Sequence, residues 1–529
     1  MSEWLLRPTR GPAPKELAGA AVFLLVIGVA AYGLYVTRGG FYSDDWANAA
    51  NYHFADPPRY WSSVDQLEGV LGGRPLLALL LPVPHAVFGT DTDLQLGLAL
   101  ALGILTSCCF YVLLRTLAMP PLHAAAIAAL ALLFPWSDSI RLWATASINS
   151  VAVCLFLLGL TLALRGLDHR GRRGVAMHAA ADLLYLLSIL TYEVAAAAAL
   201  LAGLLYLGRA PRTTAIRRWC ADVIVVFAAI TYSLTTTVET RHVGSLGERI
   251  GDVGEFVREA GLLLASSLLP IGSQGRPLQA LILLLAATVV GLIVLRLRRH
   301  RDDALRHWLW WIVVATIAIG AAYFMFLGSH LHPRDPGIDT RINVFAGLAY
   351  CLLVYALVAA ACRLILGDGL RAVTAAIALV AAMGLGYGLL LRDDQGNWEL
   401  ASSRQQDVLR AADGVGPKWR TLVTFGAPSQ AAPEVPIFNK SWDLRGALRL
   451  RFDDPSLRGF PVYRGVRLKC EPDSLVVDGG GDYGRHRAAY RRLVFLDAPT
   501  SQREWIDGAG ACARAAARFP PGPVEISGG

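Results

Sequence analysis

Apolar residues in this chain run in long blocks. Eleven blocks, at about 17–37, 94–117, 121–136, 143–165, 176–191, 193–208, 219–238, 277–296, 308–327, 342–363 and 371–391, read as membrane-spanning helices, because a bilayer core is crossed by about 20 mostly apolar residues. A shorter stretch, 75–88, holds 14 residues and contains Pro82 and Pro84. That length reads as interfacial or re-entrant rather than spanning. Residues 246–264 are amphipathic with helical spacing, the pattern of a helix lying on the membrane or gating a groove. The pattern changes beyond 392. Short apolar runs at Thr421–Phe425, Ser474–Asp478 and 492–496 are separated by turn residues and read as strands. Residues 399–413 and 501–518 read as helices. The expected architecture is an α-helical polytopic membrane domain over 1–391, with about eleven spans, and a small α/β or α+β domain over 392–529.

Composition excludes the other broad classes. The 529 residues are 54% hydrophobic and 17% charged, against about 25% charged for a soluble domain. A disordered chain would lack this apolar content. The first block follows Arg7, Arg10 and Lys15, and no small-x-small pattern closes it, so it reads as a helix rather than a cleaved signal peptide.

The net charge of +8 raises nucleic-acid binding, and the placement of the charges removes it. With the N-terminus cytoplasmic and 75–88 not spanning, the inner segments and helix ends carry 19 Lys or Arg against 6 acids. The outer loops carry 10 against 16, so positive charge lies inside as topology requires. The tail then lies outside the cell membrane. From 393 on, its 19 basic and 17 acidic residues are mixed, with no single-sign patch for nucleic acid. Six of the eight cysteines sit in or beside apolar runs. Cys470 and Cys512, alone in an oxidising compartment, are expected to form a disulfide.

Acidic chemistry gathers on the outer side. The first outer loop, 38–93, begins Gly39-Gly-Phe-Tyr-Ser-Asp-Asp-Trp46. Two adjacent carboxylates disfavour joint ionisation, which suits Asp44 or Asp45 to proton abstraction. The bland alternative is Asp44 as a helix cap. Tyr42 and Trp46 flank the pair and can stack on a sugar or anchor the interface. A loop of this length is usually functional. Further on it reads Gly73-Arg-Pro-Leu76, then the apolar stretch, then Phe88-Gly89.

This layout resembles the GT-C superfamily of integral-membrane glycosyltransferases, which place a DD, DE or ExD motif in the first extracytoplasmic loop. Asp44-Asp45 fits the DD form. The resemblance covers about 1–391 and implies transfer of a sugar from a polyprenyl-phosphate carrier to an extracytoplasmic glycan, lipid or protein, with inversion. It implies Asp44, with Asp45 second, as general base, and outer cations that stabilise the leaving phosphate. Arg341, Arg74 and Arg276 are the candidates, each with a structural alternative in interface anchoring or ion pairing. Glu193, at the tip of a helical hairpin, is a candidate for sugar hydroxyls or the partner of an arginine such as Arg141. Asp138 and Arg141 are placed to line the same cavity. His330 and His332 are candidates for phosphate or sugar. An H-x-H pair alone is weak evidence for metal, so no cofactor is expected, although a divalent metal stays possible. Asp182 and Asp222 read as salt-bridge partners of Arg173 or Arg218. The alternatives in function are a transporter or flippase of lipid-linked sugars, which would carry midplane charges and repeats, and an O-antigen-type polymerase or ligase.

Overall fold

The computed structural model describes residues 11–236, 246–272, 274–300, 302–327, 329, 331–367, 369–415 and 418–526. The chain is a mostly helical, multi-pass membrane protein with a C-terminal strand-containing domain. It opens with α1 (Pro14–Val36), and the first loop folds into α2 (Asp44–His53), α3 (Arg59–Leu71), α4 (Pro75–Leu80) and α5 (Pro82–Phe88). Then come α6 (Thr92–Thr116), α7 (Pro121–Leu133), the short α8 (Ser139–Leu142) and α9 (Ala144–Ser147), α10 (Asn149–Leu167) and α11 (Arg172–Thr191). A broken hairpin arm follows, α12 (Ala196–Leu201) and α13 (Gly203–Leu207), then α14 (Arg212–Thr236), α15 (Leu246–Leu268), α16 (Arg276–Arg299), α17 (Asp303–Phe324), α18 (Asn343–Leu366) and α19 (Leu370–Asp413).

Among the described residues nine helices are long and apolar enough to cross a membrane: α1, α6, the run Ala144–Leu167, α11, α14, α16, α17, Gly337–Leu366 and α19. The two other expected spans are shorter. The block at 121–136 is the 13-residue α7, ended by Pro135, which disfavours helix in the residue before it. The block at 193–208 breaks into a 3₁₀ turn and two short helices. Gly203 faces the Trp219 ring there, and a Cβ would strike it at 2.1 Å. The stretch 75–88 is a pair of short helices, and α15 is a separate 23-residue helix.

Buried at the centre of the bundle is the run Gly337–Leu366, with 89% of its most apolar window inside. Gly347 lets the Phe134 ring approach to within 2.9 Å of where a Cβ would sit, the close packing that small residues permit between membrane helices. One end of the bundle carries the ion pairs Glu16–Arg115, Asp168–Arg209 and Asp302–Arg363. The first-loop helices, the segment 135–148 and the 3₁₀ turn Gly337–Ile342 crowd the other end.

α19 spans 44 residues without a break, so the expected boundary at 391 falls inside one helix that runs from the bundle into the tail. The tail holds β1 (Thr421–Phe425), β2 (Gln430–Ala432), β3 (Val435–Pro436), α20 (Ser441–Phe452), β4 (Arg458–Pro461), β5 (Arg467–Cys470), β6 (Ser474–Asp478), β7 (Arg485–Ala489), β8 (Leu493–Asp497), β9 (Gln502–Ile506) and α21 (Ala509–Arg518). A four-stranded sheet runs β4-β1-β8-β9, parallel except for β9. β1 and β8 are buried along their whole length, as central parallel strands are. α20 is the crossover from β1 to β4. An antiparallel sheet β5-β6-β7 packs alongside through Leu475, Val477 and Phe495. Cys470 of β5 is bonded to Cys512 of α21. The segment 501–518 is therefore strand then helix. Gln502–Ile506 pairs with β8, and Asp507-Gly508 ends the strand.

The tail is clamped on the bundle at two places. Gly446 of α20 lies against the α2 backbone, where a Cβ would come within 2.4 Å of the Trp46 carbonyl oxygen. Gly337, at φ 59°, leaves room for the Glu434 carbonyl, which accepts from Ile338 N at 2.8 Å. Gly446→Val is expected to destabilise the protein by about 1–3 kcal/mol through overpacking, seen as a lower unfolding temperature in detergent.

Candidate active site

The acidic pair opens α2. Ser43 before it has φ 46° and ψ −117°, a strained conformation for a non-glycine residue that costs about 1–3 kcal/mol and persists only where surroundings enforce it. Asp45 does part of that enforcing. Its Oδ2 accepts from Tyr42 N at 3.0 Å and its Oδ1 from Thr145 N at 2.7 Å. Asp45 thus ties α2 to α9 and is fully buried. Burial pushes its carboxyl up to about 7, against the pull of those hydrogen bonds.

Asp44 is placed differently. It is half-buried, and its Oδ1 accepts from Trp442 Nε1 at 3.0 Å. Burial raises its pKa above the ordinary carboxylate value. The Trp442 hydrogen bond, then the charges of Arg341 and Lys440, pull it back. Two cations therefore lie near the less buried carboxylate of the pair.

Arg341 sits in the 3₁₀ turn Gly337–Ile342, 3.4 Å from Asp339 and 5.7 Å above the Trp143 ring. The Glu434 contact fixes that turn from the tail. Lys440 and Trp442 come from the start of α20, with Lys440 Nζ 5.7 Å from the Trp442 ring centre. Asp443 caps α20, accepting from Asn439 N at 3.0 Å and Lys440 N at 3.2 Å. Its carboxyl is pushed up to about 8, chiefly by burial. The first turns of α2 and α20 thus face each other across Asp44. Trp442→Phe keeps the ring and removes the donor. It is expected to raise the Asp44 pKa, because that hydrogen bond favours the ionised form, and to move the acidic limb of the activity profile to higher pH.

Of the residues expected in the site, Asp44, Asp45 and Arg341 meet. Tyr42 is fully buried, with its hydroxyl donating to the Trp398 carbonyl at 2.8 Å and its ring edge-on to Trp398 at 4.7 Å. It supports the loop and offers no face to a sugar. Trp46 is packed edge-on to Phe41 and bonded to Gln405 Oε1 at 3.3 Å, which ties α2 to α19. Arg74 and Glu193 find each other in a two-pronged ion pair of 2.8 and 2.9 Å, and Arg74 lies 4.9 Å above the Tyr192 ring. Glu193 is thus the partner of Arg74 rather than Arg141.

Arg141 and Asp138 are both buried core residues. Arg141 donates to Tyr32 and to the Phe134 carbonyl at 2.8 Å, and Asp138 accepts from Thr340 at 3.1 Å. Arg276 stands exposed at the start of α16, and no contact among the described residues joins it to the acidic pair. His332 lies 3.8 Å from both Glu255 and Asp335, in a group that includes α15. His330 lies outside the described residues. Trp442 and Lys440 carry no warning in the sequence. Trp442 is 398 residues from Asp44, and a basic-aromatic step before a helix is common.

No protein-family model matches the chain, and no curated protein matches it. Among solved structures it is similar to ArnT from Cupriavidus metallidurans in the apo state, at 14% identity over 84% of this chain and 86% of that one, with a TM-score of 0.39. It is similar to the same ArnT bound to undecaprenyl phosphate, at 13% identity over 83% and 86%, with a TM-score of 0.38. A third similar structure is the oligosaccharyltransferase of Archaeoglobus fulgidus in its apo form, at 10% identity and a TM-score of 0.42, where the match takes in 84% of this chain and 64% of that longer one.

Proposed function

We propose that the protein is a membrane glycosyltransferase that moves a sugar from a polyprenyl-phosphate carrier to an acceptor hydroxyl on a glycan, lipid or protein outside the cell membrane, with inversion. The N-terminus is cytoplasmic and the C-terminal domain lies outside. The observation that carries the reading is Asp44, a half-buried acid with a raised pKa, following a strained Ser43, with Arg341 and Lys440 beside it.

The chemistry follows from those charges. The acceptor oxygen attacks the anomeric carbon, and its proton passes to Asp44. The bond from that carbon to the phosphate oxygen breaks, and the carrier phosphate leaves with the electron pair. Negative charge grows on that phosphate, where a planar guanidinium can meet two oxygens at once. Asp45 holds the loop and is the positioning residue of the pair. This order, Asp44 before Asp45, rests on exposure. Asp45 is fully buried with both oxygens taken by backbone N–H groups, whereas Asp44 is only half-buried.

Purified protein in detergent, titrated with undecaprenyl phosphate, tests the donor class. Saturable binding that Arg341→Gln weakens is expected. Absence of saturable binding would count against a polyprenyl-phosphate donor.

A further inference from the structure

Away from the acidic pair, three ionisable side chains converge between α11 and α14. His178 and Asp182 lie one turn apart on α11, and Asp222 faces them from α14. One ligand atom from each lies within 4.8 Å of the other two. His178 Nε2 is 3.0 Å from Asp222 Oδ1 and 4.0 Å from Asp182 Oδ1. Two atoms bound to one ion at about 2.0–2.1 Å can be at most ~4.2 Å apart, so both spacings fit a shared ion.

Asp222 supplies the second observation. Its side chain is 0% exposed, with His178 Nε2 3.0 Å from Oδ1, and neither of its oxygens makes a well-aligned hydrogen bond. Asp182 Oδ1 and His178 Nδ1 are also buried without partners. A buried carboxylate left in this state is costly, and such groups are normally paired or bound to metal. Arg218 is the neighbouring cation, and its Nη1 donates to the Gly174 carbonyl at 2.6 Å. One guanidinium against two carboxylates leaves the cage negative. His178 Nε2 donates to the Arg218 carbonyl at 3.2 Å, and binding an ion at this nitrogen releases that proton.

We infer that His178, Asp182 and Asp222 bind a divalent first-row transition-metal ion that clips α11 to α14. One imidazole and two carboxylates suit zinc or manganese, with zinc the first to test. The site is structural. His178 lies thirteen positions before Thr191, the end of α11, or about 20 Å along the helix from the Arg74–Glu193 end. It is independent of the sugar-transfer reading. The sequence suggests salt bridges from these aspartates to Arg173 or Arg218; in the structure His178 is the side chain set against both, at 4.0 Å from Asp182 and 3.0 Å from Asp222.

The test uses the full chain in detergent, freed of its purification tag, stripped with chelator and dialysed against Zn²⁺ alone, with Mn²⁺ in parallel. Metal per protein is read by mass spectrometry, and the unfolding temperature with and without metal is read beside it. The wild type is expected to hold one ion per chain and to unfold at a higher temperature when loaded. Asp222→Asn and the milder, partly exposed Asp182→Asn are expected to lose both effects while eluting as monodisperse protein. A wild type that holds no ion, or either variant holding one as tightly as the wild type, overturns the inference.

Discussion

Asp44→Asn is expected to lower the rate of sugar transfer by about 10²–10⁴-fold, the usual contribution of a positioned base, while the protein stays folded. Asparagine is close in size and still accepts the Trp442 hydrogen bond through its carbonyl oxygen. The α2–α20 contact therefore survives, and the unfolding temperature should barely move. What is lost is the ability to take the acceptor proton. The wild-type pH profile follows from the same group. Burial raises the Asp44 pKa, and only the ionised form is a base. The rate therefore rises with pH through that raised pKa and then levels. Asp44→Asn should flatten this limb. Asp45→Asn gives a different signature. It leaves either Tyr42 N or Thr145 N facing an amide NH₂, so its loss of rate should come with a lower unfolding temperature. Initial rates across pH, beside thermal unfolding in detergent, separate the two.

Arg341→Gln is the second large effect. In the wild type the guanidinium lies near Asp44 and 3.4 Å from Asp339. Removing a donor aimed at developing charge costs about 10²–10³-fold in rate. The same change leaves Asp339 without its cation and takes from Asp44 a charge that favours its ionised form. The acidic limb should therefore move to higher pH as well as fall. Arg341→Lys keeps the charge and loses the planar fork, so it should recover the pH position more fully than the rate. A variant with undiminished rate would remove Arg341 from the site and leave Lys440 as the nearby cation.

The membrane architecture was legible because apolar blocks of about 20 residues have one reading. Where blocks were shorter, length decided. The 13-residue α7 and the broken 193–207 arm are apolar but fall short of a straight span's length, although each links the two ends of the bundle. Strands β1, β6 and β8 stood out as apolar runs between turns. β9 did not, because its alternation of Gln, Arg, Glu and Trp gives little apolar signal, and its identity depends on pairing with β8. The acidic pair was legible as adjacent charges in an early loop. Its surroundings were not. Trp442, Lys440 and the Glu434 carbonyl come from the far end of the chain, and their approach to α2 and to the turn carrying Arg341 is a product of tertiary packing. Tyr42 and Trp46 show the converse. Aromatics beside the acidic pair read as sugar platforms or interface anchors; Tyr42 is fully buried against Trp398, and Trp46 ties α2 to Gln405 of α19. Arg74 and Glu193 were each legible as unusual charges, and the structure spends them on one another.

The most direct test of the central claim compares envelope glycans from three strains of the source organism: wild type, a deletion, and the deletion carrying Asp44→Asn at wild-type level. The account predicts that one sugar linkage is missing from both the deletion and the Asp44→Asn strain. Intact glycans in the deletion strain would contradict a transferase, and full restoration by Asp44→Asn would contradict Asp44 as its base.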